Sequence, residues 1–83
     1  MTNAEKIRRG EQAAWLLEQP VFREAMDRCA IFCQACWAAT TPDDPVSREI
    51  AYHQFRSIGQ IESMLNNFVT DGNNTKREEN GNK

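Results

Sequence analysis

Apolar side chains recur at helical spacing in three stretches of the chain. From Ala4 to Gln19, the residues Ile7, Ala14 and Leu17 fall on one helical face, and Ala13 and Leu16 widen it. Gly10 lies inside this pattern, where glycine costs about 1 kcal/mol against alanine unless its bare backbone lets a neighbour come close. Pro20 interrupts the stretch and, being well tolerated in a first turn, marks Pro20 or Val21 as the start of the next helix. A second helix is predicted over Val21 to Ala39, with Phe22, Ala25, Cys29, Phe32, Cys36 and Ala39 forming a seam flanked by Met26 and Cys33. Arg23, Glu24, Asp27, Arg28 and Gln34 supply its polar side. A third helix, Pro45 to Val69, repeats the pattern with Ala51, Phe55, Ile58, Ile61, Leu65 and Phe68, and Ile50 and Met64 lie beside them. Asp71-Gly72 is expected to stop it, because glycine takes the left-handed conformation that closes helix C-termini. Residues 73–83 carry no apolar side chain and are expected to form a disordered polar tail after a helical domain over residues 1–72.

Between the second and third patterns, Pro42 and Pro45 disfavour helical backbone at Thr41 and Asp44. Asp44 is then placed to cap the third helix, with Pro45 in the first helical position where no N–H is missed. The resulting fold class is all-α: an antiparallel helical hairpin of two long helices, with a shorter N-terminal helix folded onto it. A chain of 83 residues buries little apolar surface by itself, so the protomer is expected to self-associate into a homo-oligomer.

Charge narrows the partners. A net charge of −2 and a pI near 5.3 make nucleic acid an improbable ligand, since nucleic-acid binders carry a clustered basic excess. No apolar run approaches the roughly 20 residues that span a bilayer, and the first residues hold no signal-peptide core. The expectation is a cytosolic protein that does not engage a membrane. Three cysteines in such a chain do not suggest a disulfide framework.

The candidate chemistry is sparse. Cys29-x-x-x-Cys33-x-x-Cys36 has the spelling of the cluster motif of radical S-adenosylmethionine enzymes, but on a helix Cys29 and Cys36 stand about 10 Å apart along the axis, too far to share one small cluster. The three thiols are expected to be buried as small hydrophobes. His53 could join a pair of them at a zinc ion, but no fourth ligand is evident. No metal, no cofactor and no catalytic set are expected, and the acidic residues Asp43, Asp44 and Glu49 are accounted for by their positions at the bend and the helix start. Trp37, one turn before the bend, can close that end or anchor a partner. Arg48, Arg56, Lys6 or Arg9, lining grooves between protomers, are candidate contacts for a small anionic ligand.

Several of these residues recur together: Arg9-Gly10, Ala13 or Ala14 with Leu16-Leu17, Pro20-x-Phe22, Trp37-x-x-Thr40, Asp43 or Asp44, Arg48-Glu49 and Asp71-Gly72. The pattern, spanning about Ile7 to Gly72, resembles the small uncharacterised helical proteins of tailed bacteriophages and prophages, often encoded among head and DNA-packaging genes. The resemblance implies no enzymatic role, and the leading expectation is a non-enzymatic accessory protein in the host cytoplasm or the virion, docking a helical surface onto a phage structural or host protein in head assembly or DNA packaging. The alternative is an oligomeric anti-defence protein that sequesters a host signalling nucleotide or inhibits a defence protein.

Overall fold

The computed structural model describes residues 1–81. Among them it contains three α-helices and no strand: α1 over Asn3–Glu18, α2 over Pro20–Ala38 and α3 over Pro45–Gly81. None of the three is long and apolar enough to cross a membrane.

Local chemistry sets most of the boundaries. Thr2 caps α1: its side-chain oxygen accepts a 3.1 Å bond from Glu5 N–H, and its hydroxyl donates back to Glu5 Oε1 at 3.0 Å. The helix ends at Gln19, whose extended backbone is what a residue before proline prefers, and Pro20 opens α2 where a missing N–H does no harm. At the far end of α2, the Trp37 carbonyl accepts from Thr40 twice, from its N–H at 3.1 Å and from its hydroxyl at 2.6 Å. Asp44 starts α3 as expected. Its carboxylate accepts from Ser47 N–H at 3.1 Å and from the Ser47 hydroxyl at 2.7 Å.

The chain forms two compact units, Met1–Gln19 with Glu62–Lys83 and Pro20–Ile61, so α3 contributes its beginning to one and its end to the other. In the first unit α1 lies against the end of α3 through two glycines. Gly10 and Gly72 face each other so closely that a Cβ built on Gly10 would stand 3.1 Å from Gly72 Cα and 2.8 Å from the Phe68 carbonyl oxygen. Arg9 donates to Asp71 at 3.0 Å while its guanidinium lies 4.2 Å from the centre of the Phe68 ring. Lys76 pairs with Glu11 at 2.9 Å.

This packing corrects two expectations. Asp71-Gly72 does not stop α3: Gly72 has no positive φ, and the helix continues to Gly81. The glycine is there for close approach rather than for a left-handed cap. The stretch expected to be a disordered tail is helical through Gly81, because Thr75 is buried, its hydroxyl donates to the Asp71 carbonyl at 2.8 Å, and Lys76 is tied to α1. Asn82 and Lys83, also part of that expectation, lie outside the described residues.

In the second unit, Cys33 of α2 and Ala51 of α3 are the buried apolar residues. The expected α2 seam is also corrected. The side turned inward runs through Phe22, Met26, Ala30 and Cys33, whereas Ala25, Cys29, Phe32 and Ala39 remain exposed. The reason lies in composition: from Cys29 to Ala39 only Gln34 is polar, so the second half of α2 is apolar nearly all round and one neighbouring helix covers only part of it.

Candidate functional site

The residues singled out in the sequence, Trp37, Arg48 and Arg56, come together around one groove of the second unit. Trp37 projects from the last turn of α2. Arg48 sits in the first turn of α3, which the Asp44 cap holds in place, and its guanidinium lies 5.1 Å from the centre of the Trp37 ring. Two turns further on, Arg56 lies 6.0 Å from the centre of the Tyr52 ring. Between them Gln34, Trp37, Tyr52 and Phe55 line a groove of about 200 Å³.

Tyr52 and Phe55 were missed as site residues in the sequence. Phe55 reads there as core, yet it is 44% exposed. The signal for Tyr52 is spacing, since Arg48, Tyr52 and Arg56 follow one another at four-residue intervals and must share a helix face.

The lining residues of the groove are three aromatic rings, one of them carrying the Tyr52 hydroxyl, and an amide. Its volume falls below the roughly 300 Å³ at which pockets begin to enclose a drug-sized molecule. Trp, Tyr and Arg are also the residues that most often dominate protein interfaces.

The cysteines occupy three different environments: Cys33 is buried, Cys36 half-buried and Cys29 exposed. The expectation that all three are core therefore holds for Cys33 and fails for Cys29, which stands on the uncovered side of α2. Among the described residues no three of the His, Cys, Asp and Glu side chains converge as metal ligands would. His53 instead lies 3.6 Å from Glu49, one turn before it on the same helix.

A second, wider groove of about 630 Å³ is lined by Arg28, Cys29, Phe32 and Cys33 from α2 and by Gln54, Ser57 and Ile58 from α3. On α2, Gln34 of the first groove and Phe32 of the second are two residues apart, about 200° around the helix, and Tyr52 and Gln54 stand in the same relation on α3. The two grooves therefore open on opposite sides of the helix pair.

Near the bend, the Asp44 carboxyl is held below its ordinary pKa by the Ser47 hydroxyl and then by Ser47 N–H, both of which stabilise the charged form. That acidic group is occupied in capping. No protein-family model, curated protein or solved structure matches the chain.

Proposed function

We propose that the protein is a non-enzymatic docking module of the bacteriophage accessory kind that its sequence resembles, acting on a partner protein in head assembly or DNA packaging, in the host cytoplasm or the virion. The observation that carries the reading is the groove of Gln34, Trp37, Tyr52 and Phe55, whose rings have the composition of an interface anchor. Arg48 and Arg56, held over the Trp37 and Tyr52 rings, favour an anchor segment with acidic neighbours.

In this reading α2 and the beginning of α3 act as an antiparallel hairpin. Its support is the order of contacts: Trp37 at the end of α2 meets Arg48 at the start of α3, while Cys29, farther back, shares a groove with Ser57 and Ile58. Protomers self-associate, because one chain leaves Val21, Ile31, Phe32, Val46, Ile50 and Ile61 half or more exposed.

Mass spectrometry of purified virions and assembly intermediates, with affinity capture by wild-type and Trp37→Ala protein, tests the docking reading. A phage structural protein retained by the wild type should be weakened about 30-fold or more by Trp37→Ala, as for a hot-spot residue. Absence from virions and intermediates, together with a melting temperature raised by a cyclic nucleotide and restored by Arg48→Ala or Arg56→Ala, would replace docking by sequestration of that nucleotide.

A further inference from the structure

We infer that a second copy of this chain seats on the side of the helix pair that carries Cys29 and Phe32, closing the wider groove and completing a four-helix bundle with the α2 and α3 segments of both protomers. This rests on the self-association just proposed and assigns it a face.

Two lines of side chains flank that groove. On α2, Ala25, Cys29, Phe32, Cys36 and Ala39 alternate steps of four and three, and on α3, Ile50, Gln54, Ser57 and Ile61 do the same. This is the spacing that lets facing helices interlock side chains at a shallow crossing angle. Inside one chain the lines remain open: Phe32 is 68% exposed, Ile50 54% and Ile61 51%, while Cys33, next to Phe32, is 8% exposed beneath α3. A helical segment apolar on nearly every side, as α2 is from Cys29 onward, belongs in an interior, and α3 alone supplies one wall of it. Covering Phe32, Ile50, Ile61 and the small residues between them removes on the order of 500 Å² per chain from water. The two chains together reach about 1,000 Å², the lower bound of a specific interface.

Charge decides which side meets a copy of itself. A two-fold contact places the same patch on both partners, so an uncompensated charge near its centre meets its own kind. Arg28 is the charged residue lining the wider groove, and it is paired with Glu24 at 2.8 Å. The aromatic groove is flanked by Arg48 and Arg56, two charges of one sign lying over neutral rings. Like faces can therefore meet through Phe32, and the arginine-flanked side is left for a partner of opposite charge.

Light scattering on the full chain during size exclusion should give twice the chain mass of 9.5 kDa. Phe32→Glu and, in the same groove, Ser57→Glu should give the single-chain mass, whereas Tyr52→Glu on the opposite side should leave the two-chain mass. In the wild type, alkylation of Cys29 followed by peptide mass spectrometry should slow several-fold as the concentration rises through the dissociation constant, a readout that does not require the variants to fold. A single-chain mass at every concentration would remove the self-association itself. A two-chain species dissociated by Tyr52→Glu, or one in which Cys29 labels as fast as in the dilute chain, would overturn the assigned face while leaving self-association standing.

Discussion

Gly10 and Gly72, 62 residues apart in sequence, face each other with no side chain between them: a Cβ added to Gly72 would stand 3.2 Å from Gly10 Cα and 3.2 Å from the Lys6 carbonyl oxygen. The residue before each glycine completes the contact, since Arg9 and Asp71 form a 3.0 Å ion pair. Two dipeptides, Arg9-Gly10 and Asp71-Gly72, thus make one clasp, in which the glycines permit the approach and the charged pair sets its register.

Substitution of Gly10 tests the clasp by setting two effects against each other. Alanine gains about 1 kcal/mol of helix propensity. It also forces a Cβ to within 2.8 Å of the Phe68 carbonyl oxygen, a backbone atom that yields only if the helices separate. Overpacking of this kind costs roughly 1–3 kcal/mol, so Gly10→Ala should lower stability in urea denaturation by a net of up to about 2 kcal/mol. Gly59, in α3, has nothing within 4 Å of its would-be Cβ, and Gly59→Ala should raise stability by about 0.5–1 kcal/mol. Stabilisation by both substitutions would show that the glycine contact does not hold the helices together.

The contrast between these glycines explains what the sequence could convey. The starts of α2 and α3 were legible because Pro20, Asp44 and Pro45 act through their own backbones and nearest neighbours. Gly72 was misread because the signal for a helix stop and the signal for a close helix contact are the same residue, and only the distant Gly10 distinguishes them. The polar stretch beyond it was misread for the same reason, its order coming from contacts with α1. On α2 the difficulty was an excess of signal: with apolar residues on nearly every side, periodicity could not show that Cys33 rather than Phe32 turns inward. Trp37 and Arg48 were identified singly, and their stacking depends on a fold that brings the end of one helix to the start of the next.

The ion pair within the clasp should be worth little by itself and more with the ring beneath it. Arg9 and Asp71 are 33% and 46% exposed, which screens their attraction, and Arg9 Nε is shielded without a hydrogen-bond partner among the described residues. A double-mutant cycle with Arg9→Ala and Asp71→Ala should give a coupling of about 0.5–1 kcal/mol, reduced in high salt. A second cycle pairing Arg9→Ala with Phe68→Leu should retain a similar coupling at high salt, because that contact depends on the ring face and on packed area. Arg9→Lys should fail to restore the second coupling, having no planar guanidinium to lie on the ring.

The cap of α3 should give stability a pH dependence of known sign. The Asp44 carboxyl is held below its ordinary pKa in the folded chain by the Ser47 hydroxyl and Ser47 N–H. A group with a lowered folded pKa contributes fully above its unfolded pKa of about 4, and the contribution is lost as pH falls through the lowered folded value. Wild-type protein should therefore lose stability on acidification more steeply than Asp44→Asn, which can still accept the Ser47 N–H bond but does not titrate. Hydrogen exchange at Ser47 and Arg48 reports the fraying directly. Equal acid slopes for the two proteins would show that Asp44 carries no such linkage.

Removal of everything after Gly72 separates an ordered helix end from a solvated tail. A solvated segment could be deleted at no measurable loss. In this chain the deletion takes away Thr75, which is 4% exposed and bonds the Asp71 carbonyl, and Lys76, whose partner Glu11 lies on α1. It also brings a helix end, with its unpaired carbonyls, next to Gly72 and Gly10. The expected loss is on the order of 1–2 kcal/mol, shared between Thr75 and the new helix end, since the exposed Lys76 pair contributes little. Thr75→Ala in the full-length chain should reproduce about half of that loss and Lys76→Ala almost none of it. Hydrogen exchange should show the amides of residues 6–13 in α1 losing protection together with those of residues 68–72, because the two segments share one contact. A truncated chain as stable as the full-length one, with α1 amides unchanged, would mean that the last turns of α3 do not support α1.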